Sequence, residues 1–217
     1  MSQSLAQDAG TTLTPSQKGE VQTIVQEYIK NNPEIILEAI RVLREREGQA
    51  QPKQMRQHPI HNKEQLLHDP ASPVAGNPNG NVTIVEFFDY LCQYCRQVFP
   101  DIQSLLKQDK NIKYIFKELP ILSKNSEIAA RVALVIWKNY REKHLEFHTK
   151  MMKSQGNLTE RRILRIAKSV GAKIDLVKNQ MYSSDINVSL RQNFKLAQRL
   201  GVSGTPGFII GLSLIHI

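Results

Sequence analysis

The chain has two cysteines, and they stand together as Cys92-Gln93-Tyr94-Cys95. Three positions apart on a helix, two thiols lie on one face. Such a pair suits thiol–disulfide exchange: a thiolate attacks a disulfide and its neighbour resolves the mixed disulfide. A helix N-terminus favours the thiolate, because unpaired backbone N–H groups and the macrodipole stabilise negative charge there. In that position the Cys92 pKa falls from ~8.5 toward ~3.5–7.5. On this reading Cys92 is the exposed nucleophile and Cys95 the more buried resolving thiol. Half of a zinc site and an inert structural disulfide are the competing readings. Zinc needs two more ligands, no nearby histidine pair supplies them, and no metal is expected. Two cysteines are also too few for a disulfide scaffold.

Two other places carry chemistry. Glu86 lies inside the apolar run Val82-Thr-Ile-Val-Glu-Phe-Phe88. Strand alternation puts it on the face of Ile84 and Phe88, where burial raises a carboxyl pKa and creates a proton relay for a nearby dithiol. A glutamate on an exposed edge fits the same pattern. Thr205-Pro206 is flanked by Gly204 and Gly207, just before an apolar run. That is a place for a cis peptide, which leaves the preceding backbone free to pair with an extended chain; an ordinary trans turn is the alternative.

The elements that must hold these residues follow from pattern. Val82–Phe88 reads as a buried strand, 92–107 as a helix and 112–119 as a second strand closed by Pro120. Strand, helix and strand in this order make a βαβ unit with a parallel pair. Residues 121–200 read as a helical insertion, with faces marked by Ile128, Val132, Val135 and Ile136 and by Ile163, Ile166, Ala167 and Val170, and one or two more helices over 181–200. A strand resumes at Phe208-Ile-Ile210.

Upstream, residues 1–13 read as a disordered tail. Thr14-Pro15 starts a helix with Val21, Ile24, Val25 and Tyr28 on one face. Asn32-Pro33 starts another with Ile36, Leu37, Ile40 and Leu43. Two short amphipathic helices over 14–47 must pack on the main domain or on another copy of themselves. Residues 48–80 read as a linker with a helical turn near 63–67, and His58, His61 and His68 within it as solvated.

Hydrophobic residues make up 41% of the chain, enough for a core. The formal charge of +9 is uneven: residues 1–80 hold 8 basic and 9 acidic residues, the remainder 21 and 11. Arg161-Arg162 and the basic residues of 138–143 sit among helical patterns with interspersed acids. They read as a solvated basic face, and no aromatic-rich basic stretch indicates nucleic-acid binding. No apolar run reaches the ~18 residues of a membrane span, and the first ten residues lack the pattern of a signal peptide. The chain is therefore read as cytosolic or as the mature form or a fragment of an exported protein.

In order along the chain, V-E-F-F-D-Y-L-C-Q-Y-C (85–95), F-K-E-L-P-I-L (116–122) and G-V-S-G-T-P-G-F-I-I-G (201–211) resemble the DsbA family of thioredoxin-fold oxidoreductases. The resemblance spans about 70–211. Y-I-K-N-N-P-E-I-I-L-E-A-I (28–40) is similar to the helical extension of the oligomeric ScsC- and Com1-like members. The resemblance implies an α/β thioredoxin-like fold over 81–211, with Cys92 as nucleophile, Cys95 as resolving cysteine, Glu86 as buried acid and Thr205-Pro206 as a cis-proline loop facing the thiols. Gln93, Tyr94, Thr205 and Pro206 then meet the substrate. It further implies a periplasmic or envelope location, unfolded or disulfide-containing exported proteins as substrates, a membrane redox partner that recycles the dithiol, and a homodimer or homotrimer through 14–47. No cofactor motif is present. Gln93 and Tyr94 are neutral, so the pair is expected to be less oxidising than the C-P-H-C type. Residues 212–217 match nothing in the family, and its last strand and helix are expected to be missing. A non-catalytic chaperone or surface antigen on the same fold, and a Cu(I)-binding protein using both thiols, are the alternative functions.

Overall fold

The computed structural model describes residues 14–32, 34, 35, 38, 39, 42, 61–211 and 213–216. They fall into two compact units, 1–52 and 53–217.

In the first unit, α1 spans Pro15–Asn31. Thr14 caps it reciprocally: its hydroxyl accepts the Gln17 N–H, and the Gln17 side-chain Oε1 accepts the Thr14 N–H at 2.9 Å. Val21, Ile24, Val25, Tyr28 and Ile29 form an exposed apolar stripe along it. Residues 34, 35, 38, 39 and 42 are helical, while Ile36, Leu37, Ile40 and Leu43 of the expected second face, and the 1–13 tail, lie outside the described residues.

The second unit is organised by a five-stranded sheet of β1 (Val74–Gly76), β2 (Val82–Phe88), β3 (Ile112–Glu118), β4 (Gly207–Ile210) and β5 (Ser213–His216), in the order β1-β3-β2-β4-β5. Its centre is β2 (Val82–Phe88), parallel to β3 (Ile112–Glu118) and antiparallel to β4 (Gly207–Ile210). Helix α3 (Gln93–Gln108) makes the crossover between β2 and β3. Alternation along β2 feeds two cores. Val85 and Phe87 pack with Ile115, Leu119, Ile209 and the Leu196-Ala197-Leu200 face of the long helix near the C-terminus. Ile84 and Phe88 pack with Cys95, Phe99 and Ile102 of α3 and with the helical insertion. Glu86 shares this second face, in register with Phe116.

The insertion comprises α4 (Lys124–Asn139), a 3₁₀ turn at Arg141–Lys143, α5 (His144–Met152), α6 (Glu160–Ser169), α7 (Ile174–Gln180) and α8 (Ser184–Leu200). Helix α7 has no counterpart in the expected pattern; at two turns it carries too few apolar positions to show a period. Helix α8 ends at Gly201, whose φ of 71° makes a left-handed cap, and Val202 N–H returns to Ala197 O at 2.9 Å. This sends the chain into the Thr205-Pro206 loop. A side chain at Gly207 would meet Val202 Cγ1 at 2.7 Å, so only glycine lets the loop close onto β4.

Two expectations are corrected. The reading of 48–80 as a linker fails for its described part, 61–80. There α2 (Lys63–Leu67) buries Leu66 in the core, and β1 (Val74–Gly76) pairs antiparallel with β3. Buried Lys117 reaches across to Asp69 Oδ2 at 2.8 Å and Gln65 O at 2.6 Å. Trp137 Nε1 donates to Pro70 O at 3.1 Å. Burial pushes the Asp69 carboxyl up, but the charge and hydrogen bond of Lys117, with bonds from Ser72 and the Ala71 N–H, hold it below its ordinary value. Removing either partner of such a pair costs about 3–5 kcal/mol, because the other charge is stranded. The second correction concerns the end of the chain. The strand expected to be missing is present: Ser213–His216 forms β5, antiparallel to β4, with Phe208 opposite Ile215. The edge of β4 is therefore paired rather than open.

Candidate active site around Cys92 and Cys95

Between β2 and α3 the chain turns through Asp89-Tyr90-Leu91. One carboxylate fixes this turn. Asp89 Oδ1 accepts the Leu91 N–H at 2.8 Å, and Oδ2 accepts the N–H groups of Ile121 and Leu122 at 3.0 and 3.1 Å. The turn before the thiols is thus tied to the loop that follows β3. Cys92 then takes the N-cap position of α3, with its Sγ accepting the Cys95 N–H at 3.4 Å.

The Cys92 thiol donates to Thr205 O at 3.1 Å, across 113 residues of sequence. The Thr205-Pro206 peptide is cis. This settles the choice left open between cis and trans, and it puts the loop against the thiol. The expectation of an exposed nucleophile is corrected: Cys92 is only 5% exposed and Cys95 fully buried. The covering loop is the reason, since it arrives from a distant segment. Gln93 is exposed and Tyr94 is 71% exposed, so the dipeptide between the cysteines is what solvent meets.

The environment drives the two thiols apart in acidity. Cys92 is held down at about 5. The hydrogen bond from Cys95 contributes most, burial opposes it, and the Thr205 side chain and the backbone N–H groups of Cys95 and Tyr94 add to the lowering. Cys95 is pushed far up, first by that same bond and then by burial. One thiol is set to ionise and the other to hold its proton.

Glu86 is buried at 1% exposure, which excludes the exposed-edge alternative. Tyr114 Oη donates to Glu86 Oε2 at 2.8 Å, and Oε1 has no partner. Burial raises the carboxyl to about 8; the Tyr114 bond works against this, and the charge of Cys92 adds to it. Glu86 is also felt at Cys95, where its charge disfavours a second anion. Tyr114 was not singled out in the sequence, although it sits opposite Ile84 on the face of Glu86. Nor was Glu118, which is buried on the same face two strand positions beyond Phe116 and pushed well up by burial. Its carboxyl is coupled to the phenol of Tyr90, whose Oη lies 3.1 Å from His148 Nδ1. Among the described residues no cluster of three or more histidine, cysteine or carboxylate side chains is arranged for a metal.

The family model for a DSBA-like thioredoxin domain matches residues 83–216, the segment that contains every residue of this site. The chain belongs to the DsbA-like thioredoxin family. A second model, for the N-terminal domain of the copper resistance protein ScsC, matches residues 17–50. Among solved structures, a thioredoxin-like oxidoreductase from Silicibacter pomeroyi DSS-3 is 39% identical, with 71% of this chain and 88% of that one covered and a TM-score of 0.68. Proteus mirabilis ScsC in a transitional conformation is 30% identical over 94% of this chain and 91% of its own, with a TM-score of 0.69. The probable disulfide bond formation protein D of Bacillus anthracis is 27% identical over 152 residues, 65% of this chain and 70% of that protein. This DsbA-like protein is an oxidoreductase of the thiol–disulfide class.

The acidity of its thiols is directly measurable. Thiolate absorbance at 240 nm is expected to rise with a midpoint near the about 5 of Cys92. Cys95→Ala should move that midpoint upward, because it removes the largest stabilising contact. A midpoint near the free-thiol value of ~8.5 in the unsubstituted protein would contradict the arrangement.

Proposed function

We propose that this protein forms or reshuffles disulfides in exported proteins, with Cys92 as nucleophile and Cys95 as resolving thiol. The observation that carries the proposal is the seat of Cys92: an N-cap thiol held at about 5, with the Cys95 N–H on its sulfur and the Thr205-Pro206 loop beside it. In the reducing direction the Cys92 thiolate attacks a substrate disulfide, forms a mixed disulfide and releases one substrate thiolate. Cys95 then passes its proton to the Glu86 carboxylate and attacks the Cys92 sulfur. The Cys92–Cys95 disulfide closes and the second substrate thiolate leaves. The oxidising direction is the reverse. With a pKa of about 8, Glu86 is a carboxylate about a tenth of the time at pH 7. That suits a group which must both accept and return a proton. Exposed Gln93 and Tyr94, with the Thr205-Pro206 backbone, meet the substrate chain.

The location in this proposal is the periplasm or cell envelope, and a membrane redox partner restores the working state of the dithiol. The family match supports it, as does the likeness to a periplasmic thioredoxin-like protein from Salmonella enterica serovar Typhimurium, 33% identical. The net direction follows from the potential. A Cys92 held at about 5 lies between the ~7 of thioredoxin and the ~3.5 of DsbA. Equilibration with glutathione is therefore expected to give a potential between about −270 and −120 mV. Cys92→Ser should abolish insulin reduction and refolding of scrambled ribonuclease. Full activity in that variant would overturn the proposal.

Assembly into a homodimer or homotrimer through 14–47 is the second part of the proposal. The exposed stripe of Val21, Ile24, Val25, Tyr28 and Ile29 supports it, together with the N-terminal match at 17–50. Ile24→Glu is expected to lower the mass measured by light scattering to that of one chain. A single-chain mass for the unsubstituted protein would contradict this part alone.

A further inference from the structure

Arg96 follows Cys95 directly and has an unusual set of partners. Its Nε donates to Tyr90 O at 2.8 Å and its Nη1 to Ser154 O at 3.0 Å. Both acceptors are neutral carbonyls. The first belongs to the turn that carries Cys92; the second opens the loop between α5 and α6. Two residues along that loop, a side chain at Gly156 would lie 3.4 Å from Arg162 Nη1. The same short loop thus meets one guanidinium at Ser154 and another near Gly156, and both arginines are only partly exposed. Arg162 belongs to the run read from sequence as a solvated basic face; in the fold it is only partly exposed, and its charge is felt at Arg96.

No carboxylate lies within ion-pair distance of either arginine among the described residues. Asp89, the acid nearest to Arg96 in the turn, spends both oxygens on the N–H groups of Leu91, Ile121 and Leu122. Glu160, two residues before Arg162 on α6, is exposed. Arg96 registers the crowding: burial lowers its pKa first and the charge of Arg162 lowers it further, while Asp89 and the Cys92 thiolate pull the other way. Two partly exposed like charges that act on one another repel, and an anion placed between them relieves the repulsion.

We propose that Arg96 and Arg162 form an anion-recognition rim beside Cys92, which favours disulfide partners carrying a carboxylate close to the reacting sulfur. The inference rests on Cys92 being the nucleophile. In the step concerned, the Cys92 thiolate attacks one sulfur of R–S–S–R, the Cys92–S–S–R bond forms and RS⁻ leaves. A carboxylate on R then stands within reach of both guanidiniums while negative charge spreads over the sulfurs. The substrate class is an acidic segment flanking a cysteine.

The test compares, on one reduced protein at low ionic strength, the rates with the dianionic 5,5′-dithiobis(2-nitrobenzoate) and the dicationic cystamine. Their ratio cancels any change in folded fraction or in thiolate fraction. Arg162→Gln is expected to lower the ratio several-fold. Lys110→Gln removes the same unit of charge beyond the far end of α3, ~25 Å from Cys92 at ~1.5 Å per residue, and should leave the ratio in place. Equal effects of the two substitutions, or no effect of Arg162→Gln, would overturn the rim. Neutral bis(2-hydroxyethyl) disulfide reports on the nucleophile itself. A protein inert to all three probes would sink the redox reading and the rim with it, whereas reaction without charge preference sinks the rim alone.

Discussion

Negative charge on the Cys92 sulfur is the constraint around which this domain is arranged. The sulfur is nearly dry, and burial by itself keeps a thiol protonated. A helix dipole contributes up to about 2 kcal/mol, about 1.5 units of pKa, in favourable partly buried geometry. That is too little to lower Cys92 from 9.0 to about 5 against the burial that opposes it. Direct donors make the difference: the Cys95 thiol, the Thr205 side chain, and the N–H groups of Cys95 and Tyr94. Each comes from a different structural decision. The N-cap at Cys92 follows from the Asp89-anchored turn. Cys95 is in reach because α3 starts there. Thr205 arrives through the left-handed cap at Gly201 and the close approach that only Gly207 allows.

The same face of the sheet carries a second kind of chemistry. Glu86 and Glu118 are carboxyls in an apolar core, both pushed up by burial and tempered by tyrosine hydroxyls. Burying an ionised carboxylate without a partner is far more costly than burying its protonated form. A Glu86 carboxyl that ionises near 8 can, in the proposed mechanism, take the proton that Cys95 loses and return it in the reverse step. The opposite face of the sheet is built for stability instead. There Lys117 and Asp69 are paired, and they clamp the 61–80 segment onto β3. Function and anchorage thus occupy alternate residues of one strand, Glu118 on one side and Lys117 on the other.

What was legible in the sequence is what is local. Val82–Phe88 and Ile112–Glu118 are long, β-branched or aromatic, and bounded by clear breakers, so their positions and faces followed from pattern. The cysteine spacing and the strand before it named the dithiol. What escaped depends on distant pairing. Strand β1 has three residues and exists because β3 accepts it. Strand β5 has four, and its sequence only makes sense beside β4. Asp69 looks like a loop residue until Lys117 arrives from 48 positions away. The burial of Cys92 depends on a carbonyl 113 residues downstream, and alternation within β2 could say that Glu86 shares a face with Ile84 and Phe88 but not that Tyr114 would donate to it. Arg162 read as solvated because helical periodicity does not show that the loop before α6 lies close to its guanidinium.

The central claim is that Cys92 is the attacking sulfur and Cys95 the one that releases the product. Trapping tests it most directly. Reduced Cys95→Ala protein, mixed with a disulfide-containing peptide, should accumulate a covalent adduct that fragment mass spectrometry places on Cys92, and Cys92→Ala should accumulate none at neutral pH. An adduct that forms on Cys95 as readily as on Cys92 would contradict the account.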